Sequence, residues 1–382
     1  MHRHSISPRP DWTARLEKLG VNFHTHDDGS PYWREDAYYA FTLAEVECIE
    51  RAAQEVQKLC IQAVEHVLEK NRFAQYGIPP ALIPLIRESW ERDEVSIYGR
   101  FDFAFDGRGL PKLLEYNADT PTSLVEAAIA QWYWLEERFP GRDQFNSLHE
   151  RLIEAWKRAS GYLPLGTVYF LSQDSWEDHQ TVAYLRDTAD QAGLSTAQMA
   201  LEDLGWDGEK GEFVDLDGRP VRAAFKLYPW EFMWKDAHGA ALLKQPRPCT
   251  FLEPAWKMLL SNKALLATLW ELFPDSPYLL PAYLEGPREM QAYVKKPILA
   301  REGANVEIHA PDRSVQATEI RECYGAEGHV FQAYAQLPVF DGFSPVLGAW
   351  IVDGEPAGMG IRESAGPITD NTSCFVPHLI EE

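Results

Sequence analysis

The sequence predicts a mixed fold of α-helices and β-strands, and three features of its 382 residues support that prediction. Residues 42–70 carry apolar side chains at the spacing of one helix face. Residues 167–230 read as strand, helix and strand, a pattern typical of a small α/β unit. Residues 292–310 and 348–364 each read as two strands joined by a turn that contains glycine. We therefore expect a fold of the α+β or α/β class.

The composition is that of a globular protein, with 45% hydrophobic and 25% charged residues. The 58 acidic residues exceed the 36 basic ones, and the formal charge of −22 would repel nucleic acid phosphates and anionic lipid surfaces. We therefore expect neither nucleic acid nor a membrane as a partner. The five cysteines form no pair at zinc-binding spacing, and no apolar stretch reaches the about 18 residues of a membrane span. A cytoplasmic location is the resulting expectation.

Helices are predicted on both sides of a hairpin. Thr42 and Glu45 form a capping box at the start of the long amphipathic helix, within a mostly helical segment over residues 31–95. A shorter helix follows a double proline over residues 81–91, and another covers residues 123–139. The hairpin between them is therefore held by helices.

The hairpin sequence SIYGRFDFAFDGRGLPKLLEYNADT predicts two unlike faces. Along its first strand, Arg100 and Asp102 alternate with phenylalanines, so one face is polar and the other aromatic. An Asp-Gly-Arg-Gly loop would place Arg100 opposite Glu115 and bring Asn117 to the same face. Carboxylate and amide oxygens suit magnesium, and the arginine can neutralise phosphate charge. The alternative is a solvated sheet face with a cross-strand Arg–Glu pair.

The predicted α/β unit lacks a dinucleotide motif. The turn after its first strand, QDSWED, contains no glycine, and this excludes a Rossmann dehydrogenase. At its end, Glu231 lies between Trp230 and Trp234 and could receive an ammonium ion by ion pairing and cation–π contact. The alternative is a buried structural glutamate paired with an arginine.

The last third of the chain supplies cations and a glycine turn. Lys263 lies in a helical stretch over residues 255–273, and Lys296 ends an apolar strand. The turn that follows Arg301 exposes backbone N–H groups that could cover phosphates. Taken singly, each feature also fits a surface lysine, a plain hairpin or, for Arg362, a strand-end charge.

Several stretches, in the same order, resemble the synthetase domain of the glutathionylspermidine synthetase family, a group of ATP-grasp carbon–nitrogen ligases. The resemblance covers roughly residues 32–378 and is carried by GRFDFAF, LLEYNADT, LYPWEFM, SNKALL, KPILAREGANV and GIRESAGPITDNTSCFVPH. It implies an ATP-grasp-like fold with N-terminal helices and a small pre-ATP-grasp unit. It also implies ATP and Mg²⁺ as cofactors.

The resemblance implies a role for the polar residues above other than Glu231, and it adds two more residues. The implied magnesium ligands are Asp102, Glu115 and Asn117, and the implied arginines at the transferring phosphate are Arg100 and Arg362. The implied ATP-binding residues are Lys263, Lys296 and Arg301, with Gln332 and Tyr334 at the adenine. The expected division is a mobile tail over 1–30, then helical (31–95), magnesium-site (96–140), small α/β (160–250) and ATP-binding (255–382) segments.

The implied reaction joins a small-molecule or peptide carboxylate to an amine, with a polyamine as one option. The carboxylate attacks the γ-phosphate of ATP, and the amine then attacks the acyl phosphate. The chain departs from the bifunctional members of the family, because only a tail and a few dozen residues precede the match. We therefore expect the stand-alone branch without amidase activity. After NAD the chain reads TPTSLVEAA, so glutathione is not assured as the acid.

Two rival functions remain at this point. One is a catalytically weakened relative that only binds a nucleotide or polyamine, although all matched metal and lysine positions are intact. The other is a glycoside hydrolase that uses Asp102 and Glu115 as its carboxylate pair, with some of the 13 tryptophans lining a sugar cleft. The hydrolase leaves Lys263, Lys296 and Arg362 without a role.

Overall fold

The computed structural model of the protein describes residues 1–26, 28–173, 175–244, 247–316 and 320–381. In chain order its strands are β1 His2–Ser5, β2 Ala37–Thr42, β3 Tyr98–Ala104, β4 Lys112–Asn117, β5 Thr167–Ser172, β6 Ser195–Ala200, β7 Gly205–Asp207, β8 Glu212–Val214, β9 Ala223–Leu227, β10 Thr250–Leu252, β11 Ala282–Tyr283, β12 Tyr293–Pro297, β13 Glu307–Ala310, β14 Arg313–Gln316, β15 His329–Ala333, β16 Ser344–Val352, β17 Glu355–Ser364, β18 Cys374–Val376 and β19 His378–Glu381.

The helices surround these strands. They are α1 Trp12–Lys18, α2 Leu43–Lys70, α3 Ile83–Glu91, α4 Gln131–Arg138, α5 Leu148–Ala159, α6 Trp176–Gln191, α7 Trp230–Met233, α8 Gly239–Leu242 and α9 Ala264–Leu272. A π-helical turn, Glu126–Ala130, leads into α4. Within the described ranges, no helix combines the length and the apolar character needed to cross a bilayer.

Two five-stranded antiparallel sheets form the part of the fold that matters for function. The first, called sheet I, has the order β18-β17-β16-β3-β4, and the second, called sheet II, has the order β11-β15-β12-β13-β14. The strands of the predicted α/β unit form a parallel sheet with the order β10-β9-β5-β6, and α6 connects β5 to β6. The prediction of a small α/β unit and two strand–turn–strand units is confirmed.

The long helix α2 supports sheet I. Thr42 and Glu45 form the predicted capping box, which satisfies N–H groups at the helix start. The apolar face of α2 is buried in the same core as the aromatic face of β3, including Phe101 and Phe103. Burial of such side chains stabilises the folded state by about 1.5–3 kcal/mol each. The polar face of β3 is thereby directed away from this core.

Residues 2–5 and 12–18 of the predicted mobile tail form a strand and a helix instead. Strand β1 pairs with β2 in a further sheet, of order β1-β2-β19, and α1 follows β1. Arg3 donates from Nε and Nη2 to the two carboxylate oxygens of Glu363, at 2.9 and 2.8 Å. Glu363 is fully buried, and a buried carboxylate without a partner is costly. This contact, which no local pattern reveals, explains why the segment is ordered.

The helix predicted over residues 255–273 is interrupted before Lys263. Asn262 donates to the carbonyl of Tyr76 at 2.8 Å and accepts from the backbone N–H of Ala264 at 2.9 Å. These bonds end the preceding turn and start α9, because an asparagine side chain competes with helical backbone bonds. Lys263 therefore lies at the first residue before α9, where its side chain can point out of the helix.

The hairpin β3–β4 has a different register from the predicted one. Arg100 lies opposite Asn117 and Asp102 opposite Glu115, and a bulge then shifts the pairing so that Phe103 faces Leu113. The bulge adds one residue to β4 without moving Glu115 or Asn117 off the face of Arg100. The predicted opposition of Arg100 and Glu115 is wrong, because the loop length alone does not reveal a bulge.

A buried histidine makes the fold sensitive to acid. The Nε2 of His378 accepts from the N–H of Phe145 at 3.2 Å, and its Nδ1 lies 2.9 Å from Oε1 of Gln131. Burial lowers the pKa of His378 from 6.5 to about 3. Between these values the unfolded chain binds a proton that the folded chain does not, so stability falls as pH decreases.

We expect this histidine to contribute a loss of up to about 1.4 kcal/mol per pH unit below pH 6.5. Urea unfolding between pH 7 and pH 5 measures that slope, and His378→Gln should flatten it. The exposed His2 is the control position, and His2→Gln should keep the parent slope. Equal slopes for the parent protein and His378→Gln would show that His378 is not the responsible group.

Candidate functional site

A cleft between sheets I and II contains most of the predicted site residues. It contains about 790 Å³ of empty space, part of which is open to solvent. Sheet I contributes Asp102, Glu115 and Val346 to its lining, and sheet II contributes Lys296 and Gln332. Two loops cover it, the glycine loop (residues 301–306) and the C-terminal loop (residues 367–371). A concave site with an apolar lining and a few polar groups is typical of small-molecule binding.

The polar face of β3 and β4 gathers two carboxylates and an amide. The Nδ2 atom of Asn117 lies 3.1 Å from Oδ2 of Asp102 and 3.3 Å from Oε1 of Glu115. Arg100 donates to both carboxylate oxygens of Asp102, at 2.7 and 3.2 Å. The shared face predicted for Arg100, Asp102, Glu115 and Asn117 is present.

This donor set fits magnesium, which takes a few carboxylate and amide oxygens and completes its shell with phosphate and water. Asn117 would have to turn its Oδ1 toward the carboxylates to serve as a ligand, since its Nδ2 faces them here. Over the described residues, no group of three or more His, Cys, Asp or Glu side chains is placed to hold a metal ion.

Positive charge surrounds Glu115. Its Oε2 lies 3.3 Å from Nζ of Lys263, which also donates to the carbonyl of Ala300 at 2.7 Å. Burial alone would raise the pKa of Glu115, but the charges of Lys263, Lys296 and Arg100 outweigh it and lower the pKa to about 2. Glu115 is therefore ionised at neutral pH, as a metal ligand must be.

Lys296 reaches the same place from sheet II. Its Nζ donates to the carbonyl of Leu114 at 3.0 Å and to Oε1 of Gln332 at 2.9 Å. Leu114 is the bulged residue of β4, so the bulge frees its carbonyl for this contact. Burial lowers the pKa of Lys296 to about 8. Lys263 and Lys296 thus converge from different elements on one carboxylate.

Arg100 and Arg362 line a smaller cavity beside the cleft, together with Ser123, Trp350 and others. Arg100 also donates to the carbonyl of Thr122 at 2.6 Å. Arg362 donates from Nη2 to the carbonyl of Asp370 at 2.5 Å, and its buried Nε has no hydrogen-bond partner within the described structure. An unpartnered buried N–H of this kind is costly unless a ligand accepts from it.

The position of the Arg100 side chain depends on Gly348, a residue that the sequence analysis did not single out. A Cβ at Gly348 of the neighbouring strand β16 would lie 2.7 Å from Cδ of Arg100. Since β16 is paired with β3, only a residue without a side chain lets the guanidinium lie across it. Glycine within a strand that otherwise pairs regularly is the sequence signal for such close approach.

Arg301 and Glu231 lie outside the cleft lining and contact each other. The Nη2 of Arg301 is 3.2 Å from Oε1 of Glu231, and its Nη1 donates to the hydroxyl of Thr120 at 2.5 Å. This contact corresponds to the structural alternative for Glu231, a glutamate paired with an arginine. Thr120 follows Asn117 by three residues. The contact of Arg301 with Thr120 therefore places the Arg301–Glu231 pair near the end of β4.

The two residues assigned to adenine differ in their surroundings. Gln332 is buried, and its amide both accepts from Lys296 and donates to the carbonyl of Leu113 at 2.9 Å. Tyr334 is half-buried and lines the cleft with Ala333 and Leu337. In this structure Gln332 therefore ties β15 to β4, whereas Tyr334 presents a surface to the cleft.

A buried ion pair between Asp119 and Lys226 joins the end of β4 to the α/β unit. No local sequence pattern predicted this pair. Asp119 and Lys226 are both fully buried, with 2.6 Å between Oδ1 and Nζ. The other oxygen of Asp119 accepts from the N–H of Trp230 at 3.0 Å. The pair therefore fixes the start of α7, which carries Glu231, against the end of β4.

Three known proteins and one protein family to which this chain is similar are named as ligases, synthases or synthetases. The family profile described as glutathionylspermidine synthase preATP-grasp matches residues 3–381. A Haemophilus influenzae protein named as a candidate acid–amine ligase is 43% identical over 387 positions, which cover 97% of each chain. The trypanothione synthetase of Crithidia fasciculata and the bifunctional glutathionylspermidine synthetase/amidase of Escherichia coli are each 29% identical and cover 95% and 91% of this chain. The chain spans 57% and 60% of the length of those two proteins.

Proposed function

The chain belongs to the glutathionylspermidine synthase preATP-grasp family, and we propose that it uses ATP to join a peptide-like carboxylate to an amine. Membership confirms the predicted family and a mixed α/β fold of the ATP-grasp type. The chain is a ligase that forms amide bonds, as its relatives are. The use of ATP and magnesium, the acyl phosphate route and the choice of acid and amine belong to the proposal.

One observation carries the proposal: oxygen ligands and cations converge in the cleft between sheets I and II. Asp102, Glu115 and Asn117 supply the ligands, and Lys263 and Lys296 supply positive charge from two other elements. Phosphoryl transfer needs positioning and charge neutralisation more than a side-chain nucleophile. The arrangement provides both.

In this proposal each residue acts through charge or position. The two carboxylates and the amide would hold magnesium, which supplies charge neutralisation on the phosphate oxygens when bound. Lys263 and Lys296 bind ATP phosphates, and Tyr334 packs near the adenine. Arg100 and Arg362 stabilise the negative oxygen that develops when the amine attacks the activated carboxylate. Arg301 holds the glycine loop and Glu231 next to this centre.

The rival hydrolase reading fails on electrostatics. A glycosidase acid needs a carboxyl with a raised pKa, because it must donate a proton near neutral pH. The cations around Glu115 instead outweigh its burial and lower its pKa to about 2. Glu115 is therefore unsuited to the role of the proton-donating acid. Both carboxylate oxygens of Asp102 accept hydrogen bonds from Arg100, one from Nε and one from Nη2.

The names of the relatives suggest the first substrates to try. Trypanothione and glutathionylspermidine synthetases are named for products of a thiol peptide and a polyamine. We propose a peptide carboxylate and a cationic amine for this chain, whose charge of −22 attracts cations. ADP release, measured over a matrix of small peptides and amines that includes glutathione and spermidine, tests the proposal. No ADP release beyond the enzyme-free rate with any pair would overturn it.

For the amine, we expect Glu231→Gln to raise the KM of a polyamine several-fold while leaving the KM of ATP unchanged. The reason is that only the amine would lose a countercharge. Steady-state kinetics with each substrate varied in turn measure the two constants. Since Glu231 also pairs with Arg301, equal effects on both constants would assign it a structural role.

Binding of Mg-ATP should order the glycine loop. Glu302 accepts from Nδ2 of Asn371 at 2.7 Å, so the glycine loop and the C-terminal loop already touch across the cleft. A Cβ at Gly303, whose φ is 69°, would lie 2.5 Å from the carbonyl of Thr369. We expect limited proteolysis between Glu302 and Asn305 to slow several-fold with Mg-ATP. The turn at residues 208–211 is the internal control, and equal protection there, or none at the glycine loop, contradicts the lid assignment.

A further inference from the structure

A chain of three buried polar side chains ends at the cavity of the two arginines. Ser123 lines that cavity, and its hydroxyl lies 2.9 Å from the hydroxyl of Tyr32. The hydroxyl of Tyr32 also faces the carboxyl of Glu126 and, as a hydrogen-bond donor, acts to lower the pKa of that carboxyl. Ser123, Tyr32 and Glu126 are 5%, 4% and 8% exposed, so all three side chains are shielded from solvent. None of the roles given above uses Glu126.

The backbone around this chain is unusual at two points. Ser123 has a φ of 67°, a left-handed conformation that costs energy for any residue with a side chain. Glu126 begins a π-helical turn, a rare feature that occurs often at functional sites. Arg100 holds the adjoining carbonyl of Thr122, so the strained residue is fixed relative to a site arginine. Both irregularities place these side chains where a regular helix would not.

The charged and titratable groups that face Glu126 come from three separate elements. They are Tyr32 from the segment before β2, Arg362 from β17 and Arg100 from β3. Burial raises the pKa of Glu126, and the hydrogen bond from Tyr32 and the two positive charges offset this only in part. A carboxylate with a raised pKa is a stronger proton acceptor near neutral pH than an ordinary one.

We propose that Ser123, Tyr32 and Glu126 form a relay that accepts the proton lost by the attacking amine. The inference rests on the proposed ligase function and adds a base to it. When the amine nitrogen forms the new bond to the carboxyl carbon, the bond from that carbon to phosphate oxygen breaks. The ammonium form of the amine loses two protons in all, of which one leaves with the phosphate.

The second proton passes to the Ser123 oxygen while the proton of Ser123 moves to Tyr32 and that of Tyr32 moves to Glu126. The serine and the tyrosine end unchanged, and only Glu126 gains a proton, which it returns to solvent after the product leaves. Ser123 is the member that would touch the amine, and Tyr32 and Glu126 act through it. Arg100 and Arg362 lie on the same cavity, so the relay and the developing oxyanion are adjacent.

The test compares two amines with the acid selected by the ADP-release screen and Mg-ATP. One is the alkylamine from that screen, which is an ammonium ion at neutral pH. The other is hydroxylamine, a weaker base that is unprotonated at neutral pH and therefore depends less on a protein base. We expect Glu126→Gln to lower kcat/KM for the alkylamine at least about 100-fold and hydroxamate formation by less than about 10-fold. Tyr32→Phe should reproduce the same split.

A purely structural role would lower both reactions equally, and that outcome overturns the relay. An unchanged rate with both amines overturns it as well. Glu136→Gln, on the exposed face of α4, is the matched control and should leave both rates unchanged, while thermal unfolding confirms that each variant is folded. If the parent protein itself makes neither amide nor hydroxamate, the proposed ligase reaction fails. If the parent is active but the variants lose the same factor with both amines, the relay proposal is wrong while the ligase proposal stands.

Discussion

Replacing Glu115 by glutamine is expected to lower magnesium-dependent ATP turnover by more than about 100-fold. The carboxylate is the meeting point of Asn117 from its own strand and Lys263 from the start of α9. Without this charge, the proposed magnesium site would lose an anionic ligand, and Lys263 and Lys296 would repel each other without a shared anion. The pKa of Lys296, about 8 in the parent, should fall further because the attraction of Glu115 helps to keep it charged. ADP release at saturating acid and amine measures the loss.

Glu307 is a matched control for this variant. Its side chain is 26% exposed, as is that of Glu115, and it also pairs with a lysine, Lys295, at 3.0 Å. It lies on β13 but does not line the cleft. Glu307→Gln should therefore keep parent turnover. If Glu115→Gln keeps it too, Glu115 is not part of a metal site, and the proposal for Asp102 and Asn117 falls with it.

Replacing Arg362 by methionine is expected to reduce kcat by about 100- to 1000-fold with little change in the KM for ATP. The reason is that Arg362 has a buried Nε without a partner in the described structure, on the cavity that it shares with Arg100. A donor that is satisfied only when a ligand arrives contributes most when charge develops in the transition state. Arg362→Lys should not restore the rate, because lysine lacks the planar fork.

Arg158 provides the comparison, since it is 51% exposed and pairs only with Asp353 among the described contacts. Arg158→Met should change kcat by less than about two-fold, in keeping with the small energies of surface ion pairs. If Arg362→Met raises the KM for ATP and leaves kcat unchanged, Arg362 contributes to nucleotide binding and not to stabilisation of the reacting carbonyl. Recovery of the rate by Arg362→Lys would show that charge alone is needed.

Local sequence patterns predicted the elements well because they report local interactions. The capping box at Thr42, the alternation of Arg100 and Asp102 with phenylalanine and the strand–helix–strand pattern all appear in the structure. The same patterns missed the bulge at Leu114 and the break before Lys263. Both irregularities are stabilised by distant partners: Lys296 for the first, and Tyr76 for the second.

The residue types in the sequence by themselves indicated the kind of chemistry available: carboxylate and amide oxygens that suit a metal ion, and lysines and arginines that suit phosphates. Their spacing also determined which of them share a strand face, because side chains alternate along a strand whatever surrounds it. Only the tertiary structure decided which charges meet. Lys263, Lys296 and Arg100 lower the pKa of Glu115 against its burial, and this depends on distances and desolvation that no local pattern contains. The ordered strand at Arg3, the room at Gly348 and the buried path from Ser123 to Glu126 arise for the same reason, since each requires segments far apart in sequence to pack together.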